Sequence, residues 1–389
     1  MTHTLRAVLC LLALAAPTHA AERVLVGYYA TFGNLPVEQM PWDRLTHVSH
    51  AFLRLDAEGA IVTTEAVPNA ALTADGRANN TPVLLCVGGG VTVRGLEAAT
   101  KTDGAASALA SKIVEAAVAG RYAGVDLHWE FPRDESTGAA HARLLSALRR
   151  RLDAAAAAGD LPKQPILTAA VSPSDFLGQW IDAAEVAKTV DWLTVVAYDL
   201  SGPWSLHAGH HAPLLASPDD PEGDSRSVAA SMRYWAVERG VPAEKLVLAA
   251  PLFGRLMPVA EPYAELDPDL ADRHRLLPFA EVRKLAGEGW RAEWDNASRA
   301  PWLRSPASAD EPANSPAGPA LTPIDPDAEA HENAAVIVSY DDRNSIHLKA
   351  TWAREQGCRG MAFWAVHQDR MPDGRHWLID AAYRAWPAE

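Results

Sequence analysis

Cysteine is scarce in this chain of 389 residues: Cys10, Cys86 and Cys358 are all it has. That excludes a disulfide framework, and no group of cysteines and histidines has the spacing of a zinc motif. Whether Cys86 and Cys358 pair stays open from sequence. The adjacent His210 and His211 fall in a loop pattern and read as surface residues. Basic runs are lacking too. The formal net charge is −14, and losing a leader whose one charged side chain is Arg6 (+1) would leave −15. An acidic chain without a basic patch argues against nucleic acid and against an anionic membrane surface. Long apolar runs are missing as well. The leading one, from Ala7 to Ala16, has 10 residues, whereas a spanning helix needs about 20. Flanked by Arg6 and by Pro17 with "THA", residues 1–20 read as an export signal cleaved after Ala20. Leu9 before Cys10 is a poor fit to a lipoprotein site. The mature chain, 21–389, is therefore expected to be secreted or periplasmic. No internal repeat, no appended carbohydrate-binding domain and no Gly-rich phosphate loop after the first apolar run is visible.

What is present is a globular core, with 48% hydrophobic residues. Eight short apolar, β-rich runs recur. They lie near 23–29, 45–55, 82–90, 123–131, 165–172, 191–199, 245–254 and 360–366. Helical patterns separate them, two of which close on a glycine, a stop signal. Alternation of this kind implies a parallel sheet. Eight units predict a closed (β/α)8 TIM barrel in preference to an open doubly wound sheet. About eighty residues separate "LFGR" from "VIVSYDD", too many for a connector. Residues 257–335 are accordingly read as a small insertion between strands seven and eight, part folded and part flexible.

The fourth run, "AGVDLHWEF" (123–131), carries the chemistry. Alternation puts Asp126, His128 and Glu130 on one face and Val125, Leu127 and Trp129 on the other. A row of ionisable groups on a strand that ends at the catalytic face of a barrel is a candidate active site. Tyr198 and Asp199 close the sixth run and Trp364 the eighth. Tyr28, Phe52, Trp129, Trp204 and Trp364 are candidate sugar contacts, since pyranose faces stack on aromatic rings. No cofactor and no metal is expected, and the protein is expected to be a monomer.

The motifs, in order, resemble glycoside hydrolase family 18, the chitinases and their relatives. "LVGYYATFG" and "LTHVSHAF" look like its first two strands, and "LLCVGGG" is similar to its Ser-x-Gly-Gly strand with Cys86 in the Ser position. "AGVDLHWEFP" resembles the Asp-Gly-x-Asp-x-Asp-x-Glu strand, and "VVAYDLSGPW" the Met-x-Tyr-Asp strand. "KLVLAAPLFGR" and "GMAFW" look like the last two strands. The resemblance implies substrate-assisted retaining hydrolysis, an exception to the scheme of two enzyme carboxylates. On that pattern Glu130 is the general acid, Asp126 the inner carboxylate, Tyr198 and Asp199 the acetamido clamp and Trp364 the platform. The implied partner is an N-acetylglucosamine oligo- or polysaccharide. Two positions depart from the motif. Ala123 stands where its first Asp would be, and His128 where its acetamido-holding Asp would be. A neutral imidazole offers one acceptor nitrogen and an imidazolium none. Two classes of function follow: a hydrolase, whose acid is retained in Glu130, and a sugar-binding protein on the same barrel that has lost most turnover.

Overall fold

The computed structural model describes residues 23–64, 66–306 and 335–387. The leader 1–20 and residues 307–334 of the insertion lie outside them. Eight parallel strands close a barrel: β1 (Val24–Ala30), β2 (His47–Leu55), β3 (Val83–Gly88), β4 (Gly124–His128), β5 (Ile166–Val171), β6 (Trp192–Val196), β7 (Leu246–Pro251) and β8 (Gly360–Trp364). Closure is made by β8 pairing with β1, Gly360 opposite Val24, while β1 pairs with β2 on its other side. The expected TIM barrel is borne out.

Alternation sorts each strand's side chains. Val24, Val26 and Tyr28 of β1 face the barrel interior with Leu84, Cys86 and Ala249. Leu25, Val125, Leu127 and Trp129 point the other way, into the layer beneath the helices. The helix Glu135–Ala158 starts at a capping box of Asp134 and Thr137 and stops at Gly159, whose φ of 85° suits glycine. The helix Asp103–Ala119 ends differently: Gly120 keeps φ −82°, and Arg121 takes the left-handed position at φ 56°. Glycine is needed at 120 for space, since a Cβ there would come within 2.3 Å of the Tyr122 ring.

The insertion forms a five-stranded antiparallel sheet of Phe253–Met257, Arg275–Pro278, Arg291–Asp295, Ala300–Arg304 and Ile337–Ser339, with the helix Phe279–Gly287. Its outer limits, 253 and 339, extend beyond 257–335. Phe253 follows the end of β7 by two residues, so the insertion grows directly from the barrel's rim. Met257, Val259, Leu266, Trp302 and Ile337 give it a small core of its own. No helix among the described residues is long and apolar enough to cross a membrane.

Candidate active site

The inner end of β4 places its three ionisable side chains at different depths. Asp126 and His128 are buried at 1% and 2% exposure, while the Glu130 side chain, just beyond the strand, is 36% exposed. Asp126 accepts hydrogen bonds from Ser49 Oγ (2.7 Å), Thr168 Oγ1 (2.6 Å) and Cys86 Sγ (3.3 Å). Register explains the crowding, because Cys86 of β3 and Thr168 of β5 stand directly opposite Asp126 on either side.

His128 answers to its neighbours. Its Nε2 lies 2.8 Å from Glu130 Oε1, and its buried Nδ1 has no hydrogen-bond partner. Burial alone would push the imidazole down. The hydrogen bond to Glu130 and the charges of Glu130 and Asp126 outweigh burial and hold it above its ordinary value. Gly88, the last residue of β3, and Gly89 after it fix that strand's end against β4. Gly88 has φ 134°, a Cβ on it would meet the His128 carbonyl oxygen at 2.1 Å, and Gly89 N–H donates to that oxygen at 2.9 Å.

Aromatic rings surround this row. Trp364 stacks on Phe52 (centroids 5.4 Å, 26° between planes) and tilts against Tyr28 at 5.3 Å and His128 at 5.9 Å. Tyr28 and Phe52 each present an edge to His128, at 5.5 and 5.4 Å. Burial, then the charge of Asp126, pushes the Tyr28 phenol well above its ordinary value. At Tyr198, burial and then the charge of Glu130 act in the same direction. Trp204 stands apart, 62% exposed, with the Arg255 guanidinium 5.0 Å above its ring. Trp129 does not join this group. It is fully buried outside the barrel and meets His141 of the helix Glu135–Ala158 edge to face, 5.9 Å between centroids. The face assigned by alternation overrides its sequence proximity to Glu130.

Asp199 takes a left-handed φ of 56° at the end of β6. Its Oδ1 accepts from Arg255 at 2.6 Å and lies 3.7 Å from His211 Nδ1. Burial pushes the carboxyl up, but the nearby His211 ring and the Arg255 charge outweigh it and hold the group below the usual range. His210 and His211, expected at the surface, are buried at 3% and 0%. The insertion covers them: His210 Nε2 is 3.4 Å from Asp295, and Ser339 Oγ accepts from His211 N–H. Arg255 was not singled out in the sequence, and His211 was read there as a surface residue. Ser49 and Thr168 were not singled out either, though their inward phase on β2 and β5 could have marked them. Cys86 and Cys358 are both free and buried.

Barrel and row together define a class: a (β/α)8 protein with a polar row under an aromatic floor at the C-terminal ends of its strands. The family model of the glycosyl hydrolases family 18 matches residues 24–369, and the chain belongs to that family. It is 26% identical to endochitinase 1 of Metarhizium robertsii over 91% of this chain and 84% of that one. Among solved structures, a family 18 N-acetylglucosaminidase from Paenibacillus barengoltzii matches with TM-score 0.75 and 25% identity, covering 94% of this chain and all of that one. The Group IV chitinase of Ostrinia furnacalis matches with TM-score 0.76 and 22% identity, covering 94% and 99%.

Proposed function

We propose that the protein is an exported hydrolase of β-1,4-linked N-acetylglucosamine chains, working by substrate-assisted retention with Glu130 as proton donor. The observation that carries this is the position of Glu130. It alone of the row reaches solvent, bonded to His128, against which Trp364 tilts, and above a buried carboxylate held by three donors. In this reading a sugar ring lies on Trp364, Glu130 protonates the leaving oxygen, and the substrate's own acetamido oxygen attacks the anomeric carbon. Tyr198 and Asp199 hold the acetamido group, with Arg255 and His211 keeping the Asp199 carboxylate in place. Export is supported by the leader pattern at 1–20.

A second reading, a glycan-binding protein of low turnover, is favoured by one contact. His128 Nε2 engages the same carboxyl group that must give up the proton. The two readings separate on Glu130→Gln assayed with chitin oligosaccharides. A hydrolase should keep binding and lose cleavage by at least ~10². Wild type that binds these chains without shortening them supports the second reading, and cleavage unchanged in the variant would remove Glu130 from the mechanism.

A further inference from the structure

Two of the residues that depart from the family's sequence pattern stand next to one another. Cys86 stands in the Ser position of β3 and His128 in an Asp position of β4. Cys86 is opposite Asp126 in the register, and His128 is two residues along. Side-chain donor atoms of Cys86, Asp126 and His128 all lie within 4.8 Å of one another, and all three residues are buried. A second observation points the same way. The His128 ring already uses Nε2 on Glu130, while Nδ1 is buried and has no partner. An orphaned buried nitrogen costs stability unless something occupies it.

We propose that Cys86, Asp126 and His128 form a binding site for one divalent ion of the zinc type, with Glu130 orienting the histidine from behind. The donor set is chemically selective. A thiolate, an imidazole and one carboxylate suit Zn²⁺ and its Co²⁺ analogue, not Mg²⁺ or Ca²⁺, which want all-oxygen shells. Zinc bonds of ~2.0–2.3 Å in a tetrahedron place ligand atoms about 3.3–3.8 Å apart. The side chains therefore need to close by only about 1 Å. All come from adjacent, fully paired strands, which hold them near that geometry before any ion arrives.

Charge balances on binding. The Cys86 S–H gives its proton to solvent, and the resulting thiolate and the Asp126 carboxylate together neutralise the 2+ ion. His128 donates the Nδ1 lone pair, releasing a second proton wherever the ring was protonated, and keeps Nε2–H on Glu130. That last contact is the carboxylate–histidine–metal arrangement that fixes tautomer and ring orientation. Tyr28 and Phe52, edge-on to the ring, supply an apolar wall. Three protein ligands leave the fourth tetrahedral position open.

The test uses the full chain carrying Cys10→Ser and Cys358→Ser, so that Cys86 is its one thiol, after chelator treatment. Co²⁺ is titrated in and followed by absorbance, with Zn²⁺ as competitor. One ion per chain with a near-ultraviolet thiolate-to-cobalt band is expected, displaced by Zn²⁺. Cys86→Ser should abolish the band. His128→Asp should weaken binding by ~10²-fold or more, and Glu130→Gln by about 10–100-fold, as for an orienting carboxylate. Cys86→Ser and His128→Asp both return the residue type of the family's motif, so each should fold; an unchanged far-ultraviolet dichroism spectrum checks this. No thiolate band in the parent chain, or equal affinity in the Cys86→Ser protein, overturns the proposal. None of these readouts depends on sugar cleavage, so loss of the hydrolase reading would leave the site standing, and the reverse.

Discussion

His128 is where this chain changes its own chemistry. A carboxylate in that position could accept a substrate N–H and share a proton with Glu130. An imidazole whose Nε2–H donates to Glu130 cannot share a proton with it as a second carboxyl would, and once protonated, the state its raised value favours, it has no acceptor nitrogen for a substrate N–H. The pair must take up another proton before Glu130 has one to transfer, so turnover should be slow and should favour acid pH. His128→Asp is expected to raise kcat on a chitin oligosaccharide and to move the optimum upward. The check is a pH–rate profile of both proteins in the presence of chelator. A variant no faster at any pH would mean that the wild-type residue is adapted to a substrate without an acetamido group, or that the protein only binds.

Single elements here are held by side chains from elsewhere, and the last helix shows it. Trp377–Ala385 has His376 at its N-cap position, which makes no side-chain cap bond. The cap comes instead from Asp369, in the turn after β8, which accepts from Leu378 N–H (2.9 Å) and Ile379 N–H (2.9 Å). Burial pushes the Asp369 carboxyl up to about 8, against the lowering effect of those backbone donors. Its folded value thus lies above the unfolded one, near 3.9. The stability tied to its proton is full below about pH 4 and is lost as pH rises through about 8. Asp369→Asn removes the proton but keeps a cap. The melting temperature of wild type relative to this variant should fall between pH 4 and 8 and level off above. A constant difference would mean the carboxyl is charged throughout that range. Sequence did expose most elements. All eight strands announced themselves as apolar β-rich runs, and the third is shorter than its run because Gly88 and Gly89 turn at φ 134° and 83°. Trp129 followed its alternation phase into the outer core. The cap from Asp369 was invisible, because it spans two elements that only the fold brings together. The Cys86–Asp126–His128 group was hidden for the same reason: spacing rules read along one segment, and these ligands meet across strands.

The molecule is assembled so that its insertion closes one side of the site. Arg255 lies on the insertion strand Phe253–Met257, paired with Ser339 and Leu276 of the same sheet. Its guanidinium reaches back over the barrel's rim to Asp199 Oδ1 at 2.6 Å and covers the Trp204 ring. His210 and His211 are buried against Asp295 and Ser339 of that sheet. None of this could be read from composition, since it depends on where a folded insertion lands. It makes the proposed acetamido clamp conditional on the insertion. Arg255→Ala should leave the half-buried Asp199 without its cation. The expected cost is about 1.5–3 kcal/mol, the range for a hydrogen bond to a charged group, together with weaker binding of chitin oligosaccharides. Adding Asp199→Asn removes the stranded charge, so the double variant should recover much of the melting temperature but not the binding. Thermal melts and calorimetric titrations on the wild type, both single variants and the double variant close the cycle. If the double variant melts no higher than Arg255→Ala, the arginine acts by packing on Trp204, and the insertion shapes the wall of the site without setting its charge.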